Sequence, residues 1–211
     1  MTLYVPRHFR VDDRETLERF IATHAFGTLI STGPDGICVS HVPFLPERSE
    51  DGKLRLRGHV ARANPHWQAL AQAAEVLVIF EGPHAYVSPG WYAQQPSVPT
   101  WNYAVVHARG RACLLPAEQL PPLLDRLSRA YEEGRPAPWR MQALPAAFTE
   151  SMLAAIVGFE IAVEKLEGKF KLSQNRRGED IERVAAALEA QGQQELAALM
   201  RAHADHAPDS R

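Results

Sequence analysis

Behind the acidic start Asp12-Asp13-Arg14-Glu15, the side chains Leu17, Phe20, Ile21 and His24 recur at helical spacing, which predicts a helix over residues 13–24. Two β-rich runs, Phe26 to Thr32 and Ile37 to Leu45, then flank Gly33-Pro34-Asp35-Gly36, whose residues favour turns, so a hairpin is expected. Lys53 to Val60 alternates Leu54, Leu56 and Gly58 with Lys53, Arg55 and Arg57, the pattern of a strand with one buried face. Asn64-Pro65 pairs a preferred N-cap with proline at the first helical position, and Trp67, Leu70, Ala71 and Ala74 continue a helical stripe over 65–74. Glu75 to Phe80 and Ala85 to Ser88 read as strand on either side of Gly82-Pro83, and residues 89–99 as a loop carrying Trp91 and Tyr92.

Thr100 to Leu115 is the longest β-rich stretch and reads as a central strand, with a bulge expected near Gly110. Helices are expected over 117–132 and 146–155, separated by a linker containing Pro136, Pro138 and Pro145. Val157 to Leu166 alternates again and leads into Gly168-Lys169-Phe170-Lys171-Leu172, and the chain closes on helical stretches at 178–190 and 193–203. Strands outnumber βαβ alternations, so a small antiparallel barrel decorated by helices is preferred over a doubly wound sheet.

Composition narrows the function classes. With 211 residues, 45% hydrophobic and 23% charged, the chain is an ordinary globular protein with material for a sizeable core. A net charge of -2 supplies no general attraction for nucleic acid or anionic membrane. The only cysteines, Cys38 and Cys113, lack CxxC spacing, and no apolar run approaches a membrane span, so the expectation is a soluble cytoplasmic protein without a zinc knuckle or disulfide scaffold.

Three segments could carry chemistry. At Gly58-His59-Val60-Ala61-Arg62-Ala63-Asn64-Pro65 a strand gives way to a capped helix, whose free N–H groups, with Arg62 beside them, suit a phosphate; the same residues also read as an ordinary cap and a solvated arginine. Val98-Pro99-Thr100-Trp101-Asn102-Tyr103 mixes planar rings with hydrogen-bonding edges, as a ring cofactor requires, or as core packing does. Lys169 and Lys171 share one strand face ahead of Ser173-Gln174-Asn175; they could neutralise a phosphate or guard an exposed strand edge. His41, His59, His84 and His107 lie in or beside expected strands, but no HxH, HxxxH or HExxH spacing occurs, so no metal site is expected and a haem reading ranks below the others. GxGxxG, P-loop and GxSxG motifs are absent, and no residue stands out as a general acid or base.

Together with Tyr4-Val5-Pro6-Arg7-His8-Phe9, Gly82-Pro83-His84-Ala85-Tyr86-Val87-Ser88-Pro89, Ile156-Val157-Gly158-Phe159-Glu160-Ile161 and Lys169-Phe170-Lys171-Leu172-Ser173-Gln174-Asn175, these motifs resemble the PaiB-like, FMN-binding negative transcriptional regulator family over about residues 3–190. The resemblance implies an α+β, mainly β fold: an FMN-binding split β-barrel related to pyridoxamine 5′-phosphate oxidase, with peripheral helices and a C-terminal helical segment. It implies a flavin-binding domain over 1–175, a helical extension with a flexible tail over 176–211, and a homodimer with flavin at the subunit interface. By the same resemblance His59, Val60, Ala61, Arg62 and Asn64 receive the FMN phosphate, Thr100, Trp101 and Asn102 border the flavin, and Lys169, Lys171, Gln174 and Asn175 belong to a C-terminal motif. Arg109 departs from the tyrosine expected before Gly110.

The function so implied is a flavin-linked transcriptional regulator, the alternative being an FMN-dependent oxidoreductase such as an NAD(P)H-flavin reductase or oxidase. Residues 176–211 hold five Arg, no Lys and seven Asp plus Glu, so the helix-turn-helix-like pair is acidic and DNA binding through it is not supported by charge.

Overall fold

Asp13 Oδ2 accepts the Thr16 amide at 2.8 Å, and the helix it starts, α1 (Arg14–Thr23), buries Leu17, Phe20 and Ile21. The computed structural model describes residues 3–34 and 36–204; Asp35 of the expected turn and the tail from 205 onward lie outside the described residues.

The hairpin forms as its alternation predicts, β2 (Phe26–Gly33) pairing antiparallel with β3 (Gly36–Pro43) from Phe26↔Pro43 to Gly33↔Gly36. Its second strand ends before the expected Leu45. Phe44 leaves the ladder, donating its amide to Ala25 O at 2.8 Å, and its ring sits 5.5 Å from that of Phe80 and 6.0 Å from that of Phe159. Burying the ring turns the chain, so β4 (Leu45–Arg48) is a separate strand that pairs with β5 (Leu54–Ala61).

β6 (Val76–Val87) runs through Gly82-Pro83, where a break was expected, since proline forfeits only its own N–H. β7 (Thr100–Leu114) matches its expected span, and β8 (Ile156–Lys171) joins two segments that the pattern separated. The strand order is β3-β2-β6-β7-β8-β5-β4, and β1 (Arg10–Val11), which the sequence did not signal, pairs with β8. The helices are α2 (His66–Gln72), α3 (Leu120–Glu132), α4 (Ala146–Ala154), α5 (Gly178–Ala190) and α6 (Gln194–Ala204). Of these, α2 is shorter than its stripe suggested, because Ala73 is already extended at ψ 130°.

The chain packs as two compact units. The first comprises residues 21–80 and 107–166, and among its buried side chains are Leu29, Phe44, Leu56, Phe80 and Phe159. The second comprises the described parts of 1–20, 81–106 and 167–211; there Phe170 lies 5.0 Å from Phe20 and 5.3 Å from His203, and Val184, Leu188 and Leu196 of α5 and α6 are fully buried.

Within the first unit, a Cβ at Gly110 would sit 1.9 Å from Ala162 O, a backbone atom that cannot swing aside. Gly110→Ala is therefore expected to destabilise at or beyond the upper end of about 1–3 kcal/mol. Gly178→Ala, whose Cβ meets nothing within 4 Å, should change stability by less than about 0.5 kcal/mol. Urea unfolding of the two variants checks both.

Candidate functional site

Alternation along β3 turns Cys38, Ser40 and Val42 inward, so a serine occupies a place that a core ordinarily gives to an apolar side chain. Ser31 of β2 is buried as well, and His66, the first residue of α2 and only 2% exposed, stands between the two hydroxyls. Its Nε2 lies 2.9 Å from Ser31 Oγ and its Nδ1 lies 2.8 Å from Ser40 Oγ. Asn64 extends the chain, donating from Nδ2 to Ser40 Oγ at 3.0 Å and accepting the His66 amide on Oδ1 at 3.0 Å. Burial holds the His66 imidazole below its ordinary pKa of 6.5. A neutral ring has one donor and one acceptor nitrogen, and two hydroxyls can satisfy both.

Beside this chain opens a cavity of about 490 Å³ lined by Val39, Ser40, His41, His59, Asn64 and Ile156, among others. His59, on β5, contributes a buried Nδ1 with no hydrogen-bond partner among the described residues, and burial lowers its pKa too. An orphaned buried nitrogen on a cavity wall is satisfied by a polar group that enters the cavity.

Of the residues expected to receive a phosphate here, His59, Val60, Ala61 and Asn64 line this cavity. The expected fork of Arg62 is already engaged: Nε donates to Ala154 O at 2.8 Å and Nη2 to Ile156 O at 3.0 Å, pinning the end of β5 to the junction of α4 and β8. The helix start is engaged as well, since α2 has seven residues and Asn64 takes the His66 amide. The His66 amide at that N-terminus is thus already bonded, and the polar groups of the adjacent cavity are side chains of strands and turn. Ser31, Ser40 and His66 escaped sequence reasoning; the legible signal was a serine at an inward position of an alternating strand.

Thr100, Trp101, Asn102, Lys169, Lys171, Gln174 and Asn175 fall in the second unit. Asn102 is 0% exposed and donates from Nδ2 to Ser173 Oγ at 2.9 Å and to Met200 Sδ at 3.4 Å. That contact holds Ser173 in the left-handed region at φ 68°, which a non-glycine residue rarely occupies. The Gln174 amide bridges Phe170 O and the Leu172 N–H, while Asn175 is exposed. The remaining four assemble. Lys171 Nζ donates to Thr100 Oγ1 and to Trp101 O, and Lys169 Nζ lies 5.4 Å from the ring centroids of both Tyr4 and Tyr103. Burial, then Lys169 and Arg176, push the Lys171 ammonium below its ordinary pKa.

Residues 3–165 match a family model described as "Putative FMN-binding domain". The Bacillus subtilis protein named Protease synthase and sporulation protein PAI 2 is 38% identical over 178 residues, covering 84% of this chain and 85% of that protein. Among solved structures, the FAD and haem binding protein from Mycobacterium smegmatis superposes with a TM-score of 0.59 at 20% identity, covering 77% of this chain and 73% of that one. The flavocytochrome Anf3 from Azotobacter vinelandii gives 0.54 at 18% identity, covering 83% and 73%. The chain shares their fold.

His59 and His66 each have a pKa lowered from 6.5 by burial. Between the lowered values and 6.5 the unfolded chain binds more protons than the folded one. Their contribution to stability is therefore complete above about pH 6.5 and is lost as pH falls through the folded values. His66→Gln should be less stable at neutral pH yet decline less steeply on acidification, as read from urea-unfolding free energies between about pH 7.5 and pH 5. Equal slopes in wild type and variant would clear His66 of the effect.

Proposed function

Because the chain belongs to the FMN-binding family whose model it matches over residues 3–165, we propose that it is a flavin-linked regulator that uses the cavity beside β5 to hold the phosphate-bearing end of FMN. FMN, or a closely related flavin, is its cofactor. The observation that carries the placement is the orphaned His59 Nδ1 on a wall shared with Ser40 and Asn64. A cavity of about 490 Å³ with a few convergent polar groups has the size and chemistry of a small-molecule cleft. His59 and Ser40 would orient the polar end of the ligand, and His66 fixes the rotamer of Ser40. Arg62 keeps its full positive charge at the turn although its fork is engaged with carbonyls. Bound flavin supplies one- and two-electron exchange, and the protein supplies orientation and electrostatics.

The regulatory part of the reading is supported by the name of the Bacillus subtilis relative, which refers to protease synthase and sporulation. Operator reading is not assigned to α5 and α6. Arg201 is held there by Glu182 at 2.9 Å and Glu189 at 2.7 Å, and Ile181, Val184, Leu196 and Met200 are committed to the core. Regulation through the redox state of the flavin or through another protein fits that arrangement better than operator reading by α5 and α6.

A homodimer belongs to the same proposal. Phe26, Ile37 and Val39, on the outward face of β2 and β3, are 64%, 76% and 54% exposed, and Val39 also lines the cavity. A second copy covering this face would take three apolar side chains out of water at the rim of the proposed site.

Titration with FMN and with riboflavin tests the placement. His59→Ala and Asn64→Ala are each expected to weaken FMN by roughly 10- to 150-fold, as for hydrogen bonds to a charged group, and riboflavin by much less. Equal losses for the two ligands would remove the phosphate from this cavity, and NAD(P)H-dependent turnover by the flavin-loaded protein would favour the oxidoreductase reading. Light scattering should give about twice the 23.5 kDa chain mass, falling toward one chain mass in Val39→Asp; a wild-type monomer that binds FMN at full affinity would sink the dimer.

A further inference from the structure

Many basic side chains of the protein meet carboxylates: Arg57 lies 2.7 Å from Glu160, Arg126 2.8 Å from Glu47 and Arg129 2.8 Å from Asp125. At the end of β8 this pattern stops. Among the described residues, none of Lys169, Lys171 and Arg176 is paired with a carboxylate; their partners are hydroxyls, a carbonyl and rings. Period-two geometry puts Lys169 and Lys171 on one face of the strand. Arg176 returns toward them because Ser173, locked by Asn102, turns the chain left-handed at φ 68°, and the Arg176 amide then closes on Ser173 O at 2.9 Å. The Arg176 guanidinium carbon rests 4.4 Å from the centroid of the Tyr92 ring.

Lysines on an edge strand guard against aggregation, but this is not an edge. β8 lies between β7 and β5 in the sheet, and at Lys169 it pairs with Arg10 of β1. Three like charges held together around a half-buried ammonium, with only neutral oxygens to solvate it, are stabilised by an anion.

A ring-walled cavity in the same unit shares Trp101 with this cluster. Its volume is about 570 Å³, and its lining includes His84, Tyr86, Trp91, Trp101, Gln191 and Gln193. Trp101 belongs to both features: its indole is 55% exposed and 6.2 Å from Tyr86, and its carbonyl accepts from Lys171. Asp180, one turn of chain beyond Arg176, is directed instead to the amides of Ala93 and Gln94 through Oδ1.

We propose that this face of the second unit binds a small ring compound bearing a carboxylate or a phosphate, the ring lying against Trp101 and the anion meeting Lys171 with Lys169 and Arg176. The ligand is distinct from the flavin assigned to the first unit, so either assignment can fail alone. Rings supply apolar area with oriented edges, and a charge-assisted contact in a half-buried place supplies selectivity.

The test uses FMN-saturated protein and three probes, 2-naphthoate, 2-naphthyl phosphate and the uncharged 2-naphthalenemethanol, followed by calorimetry. At least one anion should bind saturably and roughly tenfold or more tighter than the alcohol. A preference for naphthoate would mark a carboxylate ligand and one for the phosphate ester a phosphate ligand. Lys171→Met should abolish the preference for anions, and Trp101→Leu should weaken all binding probes several-fold. Lys169→Met gives an independent reading if Lys171→Met does not fold. Equal binding of anion and alcohol, or an unchanged preference in the lysine variants, overturns the proposal. Displacement of the naphthyl anion by excess FMN also overturns it, since the face would then belong to the flavin.

Discussion

A desolvated histidine held neutral between two serine hydroxyls organises the first unit. Satisfying both ring nitrogens of His66 avoids the cost of an unpaired polar atom removed from water, about 1–3 kcal/mol. Ser31 on β2 and Ser40 on β3 meet that requirement, and Asn64 ahead of α2 braces Ser40, so the β2–β3 hairpin is tied to the start of α2 through one imidazole. The cavity follows from this arrangement. Ser40 and Asn64 are positioned by their bonds to the His66 network, and the wall they share with His59 carries one buried nitrogen with no hydrogen-bond partner among the described residues.

The second unit solves a similar problem with a strained turn. Ser173 sits in a left-handed conformation that costs on the order of 1–3 kcal/mol and persists because Asn102 and Gln174 over-determine it. The turn delivers Arg176 to the neighbourhood of Lys171, and the concentration of unpaired positive charge there is a product of backbone geometry. Asn102 and Gln174 support this turn through their hydrogen bonds, and the lysines lie beside it.

Charge distribution separates the family's cofactor from its regulatory name. The polar atoms of the first cavity and the cations of the second unit suit small anionic ligands, whereas α5 and α6 spend Arg201 on Glu182 and Glu189. A flavin-binding fold can host regulation or redox turnover, since function resides in the site and not in the fold.

Local pattern was enough to specify α1, the β2–β3 hairpin, β5, β7 and the helical segments, because burial of one face imposes a period that a single chain displays. Long motifs in a fixed order were enough to identify the family and its cofactor. What pattern did not hold was partnership. The corner at Phe44 depends on rings at Phe80 and Phe159, β1 exists because β8 pairs with it beyond the end of the β5 ladder, and the use of Arg62 is decided by carbonyls about 90 residues away. His66 gave no signal of its own, for its role depends on two serines that only the sheet brings within hydrogen-bonding distance. Periodicity reports which face of an element is buried, whereas hydrogen-bond satisfaction is settled between elements, so it became visible only when the chain was folded.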